Sequence, residues 1–147
     1  MPRPDVWFER DLDVEGGQGV MFTPDPEEVL TAISVEVRDL ATEVTAEDLP
    51  DLEKAFLKGL RSVAGSKLEQ HDVFQSPYHI GLEAQQSFDA AGQRRRRWIR
   101  VLYKGTLQAR LIAQAASIQE FDRLRPLFAP CMTTFLFGDV WPEPPGA

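Results

Sequence analysis

The chain has 147 residues, a net charge of −7 at neutral pH and one cysteine, Cys131. This length is typical of one domain, a lone cysteine excludes an internal disulfide, and no apolar run approaches the roughly 20 residues needed to cross a bilayer. The N-terminus has no apolar segment of the secretory type. We therefore expect no membrane span and a cytoplasmic location, the alternative being an export leader that has been trimmed away.

The charge is distributed unevenly along the chain. Residues 1–60 contain 15 acidic and 5 basic side chains, whereas residues 61–147 contain 8 acidic and 11 basic ones. A strongly acidic half argues against general binding to a phosphate backbone, which requires accumulated positive charge. We therefore expect no nucleic-acid partner.

Residues 1–30 are predicted to contain two short strands, at 6–8 and 20–22, because both runs are rich in β-prone side chains. The glycine-rich stretch 16–19 between them predicts a turn or a flexible loop. No Lys-Ser/Thr pair follows these glycines and no helix opens behind them, so they do not indicate a phosphate-binding loop.

A strand and a helix are predicted next. From Thr31 to Val37 apolar and polar side chains alternate, which is typical of a half-buried strand. Thr45 suits the N-cap of a helix whose apolar side chains recur at spacings of three and four from residue 49 to residue 63. Gly65 can end that helix. A single apolar stripe indicates packing on a sheet.

Four strands are predicted between residues 66 and 115, over 66–74, 78–88, 94–103 and 106–115. Parallel neighbours would need crossover connections of a dozen or more residues. The links here are short turns, so the strands are expected to form an antiparallel meander.

The last elements are a capped helix and a strand. Ser117 and Glu120 form a capping-box pattern, in which each side chain bonds the other residue's backbone N–H. Pro126 is expected to limit or kink the helix. The run 133–137, Thr-Thr-Phe-Leu-Phe, predicts a final strand, and the proline-rich residues 139–147 predict a mobile tail.

This order of elements resembles the PsbP-like superfold, which includes PsbP of photosystem II and the Ran-binding MOG proteins. The resemblance covers about residues 30–138 and is carried by four segments: Ile33–Val37, Tyr78–Glu83, Tyr103–Leu107 and Ser117–Phe137. It implies an α+β fold of the bacterial branch, with an antiparallel sheet and helices on its faces in an α-β-α sandwich. It also implies a binding or adaptor role, because proteins of this fold are mostly non-enzymatic.

The acidic, glycine-rich N-terminal segment departs from the aromatic-rich strand pair with which the superfold usually opens. An uncovered sheet edge favours pairing with a second chain, so a homodimer is expected. We divide the chain into divergent N-terminal strands with a glycine-rich loop (1–30), a single α+β domain (31–138) and a proline-rich tail (139–147).

Candidate catalytic and metal-binding residues are few. His71 and His79, with Asp72 nearby, lack a third ligand at diagnostic spacing, so structural histidines are the favoured interpretation. Cys131 is expected to be a buried, inert thiol, and Glu83 is expected to pair with an arginine. We therefore expect no enzymatic activity, no metal and no cofactor.

The most prominent sequence feature is the arginine run 94–97, followed by Trp98 and Arg100. In a strand, Arg94, Arg96, Trp98 and Arg100 would share one face, and Arg95 and Arg97 would lie on the other. Pairing with the acidic first half is the favoured interpretation. The alternative is a guanidinium–aromatic face for an acidic partner, which makes the four residues candidates for partner binding: Arg94, Arg96, Trp98 and Arg100.

These observations favour a non-catalytic binding or adaptor protein that holds a protein or peptide partner on the sheet face or in a helix–sheet groove. One alternative is a cytoplasmic chaperone for an apolar secretion substrate, a role that the resemblance implies for one bacterial branch. The other is a small-molecule binder or enzyme with a pocket between helix and sheet.

Overall fold

The computed structural model describes residues 7–135 and residue 137. In this part of the chain seven strands form one antiparallel sheet, in the spatial order β1-β2-β3-β7-β6-β5-β4, with a helix on each face. The strands are β1 (Phe8–Leu12), β2 (Gly17–Thr23), β3 (Ala32–Asp39), β4 (Lys67–Gln75), β5 (Ile80–Ala90), β6 (Gln93–Lys104) and β7 (Leu107–Gln114). The helices are α1 (Leu49–Arg61), which follows a 3-10 turn at Ala46–Asp48, and α2 (Ile118–Thr133). Neither described helix is both long and apolar enough to span a membrane.

The predicted α+β architecture and the antiparallel meander are confirmed. β4 to β7 are joined by short turns and pair as antiparallel neighbours, and β7 closes onto β3. The alternation that predicted β3 arises because its two faces differ: one is fully buried, and the other carries half-exposed polar side chains. Thr45 is the N-cap residue of the turn before α1, where its backbone N–H donates to the Asp48 carboxylate at 2.8 Å.

The predicted glycine loop is partly wrong. Both N-terminal strands are present, although residue 6 lies outside the described residues, and β1 with β2 forms one edge of the sheet. Gly16 lies in the connecting turn with a positive φ of 73°, but residues 17–19 belong to β2. A Cβ on Gly17 would lie 1.9 Å from the carbonyl oxygen of Val37, so only glycine permits this close approach of two backbones.

Tyr78 was predicted to lie in a strand with Ile80, and this is wrong. It sits in the β4–β5 turn with 70% of its surface exposed. The Ser76 hydroxyl accepts hydrogen bonds from the backbone N–H groups of Tyr78 and His79, both at 3.2 Å. Local side-chain bonding of this kind favours a turn over continued strand pairing.

The predicted final strand at 133–137 is wrong as well. α2 continues through Pro126 and Pro130 as far as Thr133, whose hydroxyl donates to the Ala129 carbonyl at 2.7 Å. Phe135 and Phe137 are buried in the core without belonging to a strand. Residue 136 and the predicted tail, 139–147, lie outside the described residues.

Half of the predicted capping box is present at the start of α2. The Ser117 hydroxyl accepts from the backbone N–H of Glu120 at 3.1 Å, which satisfies one of the unpaired donors of the first turn. The Glu120 carboxylate does not return a bond to Ser117. It instead accepts from Nε of Arg123 at 2.9 Å, a pair of residues one helical turn apart.

Two apolar layers hold the helices to the sheet. On the face that we call the α2 face, Phe121, Phe128 and Met132 of α2 are fully buried against buried side chains of four strands, β2, β3, β6 and β7. On the opposite face, the α1 face, Leu60 and Phe56 pack against Ile99 and its neighbours. Each fully buried side chain of this size stabilises the fold by about 2 kcal/mol. α1 packs mainly on β4 and β5, so the side chains of β3 and β7 lie at the margin of that helix.

Candidate functional site

The arginine run lies on β6, an interior strand of the sheet, where it is divided between the two faces. Arg94, Arg96, Trp98 and Arg100 lie on the α2 face, opposite Asp89, Ser87, Gln85 and Glu83 of β5. Arg95 and Arg97 lie on the α1 face.

Arg96 is held between two carboxylates on the α2 face. Its Nε donates to Glu69 of β4 at 2.7 Å, and its Nη1 donates to Asp122 of α2 at 2.7 Å. The hydrogen bond from Arg96 lowers the pKa of the Glu69 carboxyl, because it stabilises the ionised form. This ion pair joins a strand edge to α2.

Trp98 and Arg100 share Glu83. Trp98 is buried and donates from Nε1 to this carboxylate at 3.0 Å, while Arg100 donates from Nε to its other oxygen at 3.1 Å. Arg100 also donates from Nη1 to the Met132 carbonyl at 2.6 Å and stacks 4.8 Å from the Phe74 ring centroid. The predicted pairing of Glu83 with an arginine is therefore confirmed.

Arg94 is the last of the four predicted partner-binding residues on the α2 face. It donates to the Asp89 carboxylate at 3.1 Å, to the Ser87 hydroxyl at 2.9 Å and to the Gly65 carbonyl. All four side chains predicted to bind a partner thus have intramolecular partners. The expectation that the acidic first half supplies the carboxylates is wrong, because β4, β5 and α2 flank β6 and provide Glu69, Glu83, Asp89 and Asp122.

The α1 face instead has a cleft of about 460 Å³ between α1 and the sheet, which we call the α1 cleft. Its apolar wall includes Leu52, Phe56 and Leu60 of α1 together with Leu82 and Val101 of the sheet. Its polar floor is formed by six side chains from β3, β6 and β7: Glu36, Arg38, Arg97, Tyr103, Gln108 and Arg110.

Arg97 is fixed in the floor of this cleft. Its Nε donates to Oε1 of the fully buried Gln86 at 2.9 Å, and its guanidinium lies 4.7 Å from the centroid of the Phe88 ring. Gln86 in turn donates to the Leu60 carbonyl at the end of α1 and to the Ser66 hydroxyl at 2.8 Å. Burial lowers the pKa of Arg97, and the positive charges of Arg110 and Arg95 lower it further.

The positive charge of the floor exceeds its negative charge. Arg110 is exposed and lies opposite Glu36 in the β3–β7 register. The Glu36 carboxylate, however, is 3.8 Å from Nη2 of Arg38, a weak surface pair. Three guanidinium groups therefore face the cleft against one carboxylate. Among the described residues, no ion pair joins Arg97 or Arg110 to a carboxylate.

The remaining candidates do not come together. His71 lies opposite Ala84 on the α1 face, whereas His79 contacts the Phe74 ring, at 5.9 Å, on the α2 face. Burial lowers the pKa of His79, and the charges of Arg100 and Lys104 lower it further. Cys131 is a buried residue of α2, and burial raises the pKa of its thiol. Within the described part of the chain, no three His, Cys, Asp or Glu side chains are placed to share a metal ion.

A groove or pocket between helix and sheet was among the expected binding places, but none of the residues that line the α1 cleft was predicted as a site residue. The alternation on β6 did place Arg97 beside Ile99 and Val101, so the sequence contained one usable signal: an arginine on an otherwise apolar face. No comparable signal identified Arg110, because exposed arginines on strands are common.

No family model matches the chain, and no curated protein matches its sequence. Solved structures do match. The solution structure of cyanobacterial PsbP (CyanoP) from Synechocystis sp. PCC 6803 aligns with a TM-score of 0.62 at 16% identity, over 86% of this chain and 78% of that one. LpqN of Mycobacterium tuberculosis, involved in cell envelope biogenesis, aligns with a TM-score of 0.56 at 14% identity, over 85% of this chain and 74% of that one. PA94 of Pseudomonas aeruginosa, a protein of unknown function, aligns with a TM-score of 0.54 at 10% identity, over 92% of this chain and 98% of that one.

Because all three sequence identities are low, these structural similarities show a shared fold and nothing more. They agree with the seven-stranded antiparallel sheet and with its two helices. The chain therefore has the PsbP-like fold that the order of its elements predicted.

Proposed function

We propose that this PsbP-like domain is a non-catalytic binding or adaptor protein that holds a segment of a protein partner in the α1 cleft. The observation that carries the proposal is the difference between the two helix–sheet contacts. Phe121, Phe128 and Met132 of α2 are fully buried, whereas Leu52 and Phe56 of α1 are only half-buried and border a 460 Å³ cleft. Partly exposed apolar side chains next to fixed polar groups are typical of a binding groove.

A glycine in α1 supports the same proposal. Gly59 lies in the last turn of the helix and lines the cleft. Glycine in a helix is less stable than alanine by about 0.5–1 kcal/mol. No described atom lies within 4 Å of the position that a Cβ would occupy, so contacts within the domain do not require glycine here. Close approach of a ligand to the α1 backbone would explain it.

Site-specific crosslinking in the native host tests this proposal. A photo-reactive amino acid would replace Ala55, an exposed residue that lines the cleft, and in a control it would replace Gln119, an exposed residue of α2. We expect a defined protein adduct from position 55 and none of the same mass from position 119. The substitution Gly59→Leu would place a side chain in the cleft and abolish the adduct, with thermal unfolding used to verify folding.

Two results would contradict the proposal. One is a set of adducts shared equally by positions 55 and 119, which would indicate non-specific contact. The other is an adduct from position 55 that persists in the folded Gly59→Leu variant, because a filled cleft cannot hold the partner segment.

A small-molecule binder is the second candidate, and the size of the cleft favours it. A volume of 460 Å³ lies within the range of about 300–1,000 Å³ that ligand pockets usually have. Native mass spectrometry of the freshly purified protein would show a bound mass that is lost in Gly59→Leu. A ligand-free spectrum for wild type would argue for the protein partner.

Other sequence-based expectations stay predictions. A chaperone role predicts that co-expression keeps an apolar secretion substrate in solution, and the homodimer predicts twice the chain mass in sedimentation. The cytoplasmic location and direct partner contacts through Arg94, Arg96, Trp98 and Arg100 also remain to be tested. We place the partner in the α1 cleft because those four side chains already have partners within the domain.

A further inference from the structure

We infer that the α1 cleft selects an acidic apolar peptide segment, in which a carboxylate pairs with Arg97 and Arg110 while a neighbouring apolar side chain packs on Leu52 and Phe56. This inference deepens the proposed function and rests on it. It specifies the chemistry of the partner, which the size of the cleft alone does not.

The charge of the cleft floor favours an anionic partner. The whole chain has a net charge of −7, yet the floor of the cleft presents Arg38, Arg97 and Arg110 against the single carboxylate of Glu36. Arg97 and Arg110 both line the cleft, and the pKa of Arg97 is lowered first by its burial and then by repulsion from the charge of Arg110. A bound carboxylate would relieve this repulsion. An acidic protein has no general attraction for an acidic peptide, so such a preference requires a local basic site like the floor of this cleft.

The position of Arg97 leaves two of its donor groups open to the cleft. Gln86 engages Nε, and the two Nη groups donate to no other described residue. Every buried side-chain nitrogen or oxygen in the described structure has a partner, so these Nη groups reach solvent. Arg95, the other arginine of β6 on this face, differs: it donates to the carbonyls of Ala115 and Leu30. Arg97 is therefore an oriented cation with free donors.

The arrangement suits a carboxylate better than other polar groups. A guanidinium presents parallel N–H donors that match the two oxygens of a carboxylate, and such pairs are stronger than neutral hydrogen bonds. Fixing the guanidinium in advance through Gln86 and Phe88 reduces the entropy that binding must overcome. The half-buried Leu52 and Phe56 beside it provide the apolar contact that a lone anion would not use.

A phage-displayed library of random linear octapeptides tests the inference. The library would be selected in parallel on wild type, on Arg110→Gln and on Arg61→Gln. Arg110 is exposed and has no ion pair in the described structure, so its loss should leave the fold intact. Arg61 is an exposed arginine of α1 that does not line the cleft, which makes its variant the matched control.

We expect wild type and Arg61→Gln to enrich peptides with Asp or Glu beside apolar residues, and Arg110→Gln to lose that enrichment. The best acidic peptide should bind Arg110→Gln at least roughly tenfold more weakly than wild type, because it loses a charge-assisted hydrogen bond to its carboxylate. The Glu→Gln form of that peptide should bind both proteins equally.

The outcomes separate the inference from the proposed function. Selected peptides that bind wild type but not Gly59→Leu, and that show no acidic preference, would overturn the inference and leave the binding role standing. Selection of no peptide that depends on the cleft would overturn both. Acidic peptides that bind Arg110→Gln as tightly as wild type would place the anion elsewhere and overturn the inference.

Discussion

The two faces of β6 differ although one strand supplies both. On the α2 face its arginines are bonded to Glu69, Glu83, Asp89 and Asp122, and Trp98 is buried beneath a long helix. On the α1 face, Arg97 and Arg110 of β7 border a cleft, and no ion pair joins either of them to a carboxylate of the described residues. The arginine run is therefore not one functional patch. The elements that cover each face determine which groups an arginine of the run can bond within the domain.

The largest expected effect compares the two helices. Phe121 of α2 is fully buried, so Phe121→Ala should lower the free energy of unfolding by about 3–5 kcal/mol. Phe56 of α1 is half-buried, so Phe56→Ala should cost less than about 2 kcal/mol. Urea denaturation of both variants measures the difference. Equal losses would show that α1 is as tightly packed as α2 and would remove the basis of the comparison.

The next prediction compares two arginines. Arg100→Met would leave Glu83 without its cation and the Met132 carbonyl without its donor, and should destabilise the protein by about 3 kcal/mol. Arg110→Gln should change stability by no more than about 0.5 kcal/mol, as is usual for exposed residues. Chemical denaturation tests both. A similar loss for Arg110→Gln would mean that this side chain supports the fold.

Gly59→Ala should stabilise the protein, whereas most of the substitutions above should destabilise it. The methyl group would meet no described atom within 4 Å, and alanine favours the helix, so the free energy of unfolding should rise by about 0.5–1 kcal/mol. Thermal unfolding measures the gain, and Ala55→Gly, at an exposed position of the same helix, should give a loss of similar size. A destabilised Gly59→Ala variant would show that the glycine serves the fold and would weaken its assignment to the cleft.

The smallest effect depends on pH. Because Arg96 lowers the pKa of Glu69 in the folded state, the stabilisation from this pair is complete above the ordinary carboxyl range and is lost as the pH falls through the folded-state pKa. The stability difference between wild type and Glu69→Gln should therefore be under about 1 kcal/mol near neutral pH and shrink below about pH 4. Urea titrations at several pH values measure it, with Glu15→Gln, in the exposed β1–β2 turn, as the control. A difference that grows on acidification would contradict the pairing.

The parts of the fold that could be predicted are those in which local pattern and tertiary packing agree. β3 alternates because one of its faces is buried, and Ser117 caps α2 because its hydroxyl reaches a backbone donor three residues on. The end of α2 could not be predicted in this way. Thr133 and Thr134 are β-prone residues, but their hydroxyls bond the carbonyls one turn earlier and Phe135 packs into the core, so tertiary contacts override local preference.

The candidate site was less accessible to prediction than the fold. Alternation along β6 determines which arginines share a face, but it does not show which carboxylates lie across from them. Those come from β4, β5 and α2, whose positions depend on strand order. The α1 cleft depends on where α1 crosses the sheet, and the apolar stripe of that helix fixes only the side it buries.

Amide hydrogen exchange, measured on the protein alone and with the partner captured from position 55, tests the central claim most directly. If the α1 face binds and the α2 face supports the fold, the partner should slow exchange in α1, residues 49–61, and in β7 around Arg110. α2, residues 118–133, should exchange at an unchanged rate. Protection confined to α2, with none in α1, would contradict the account.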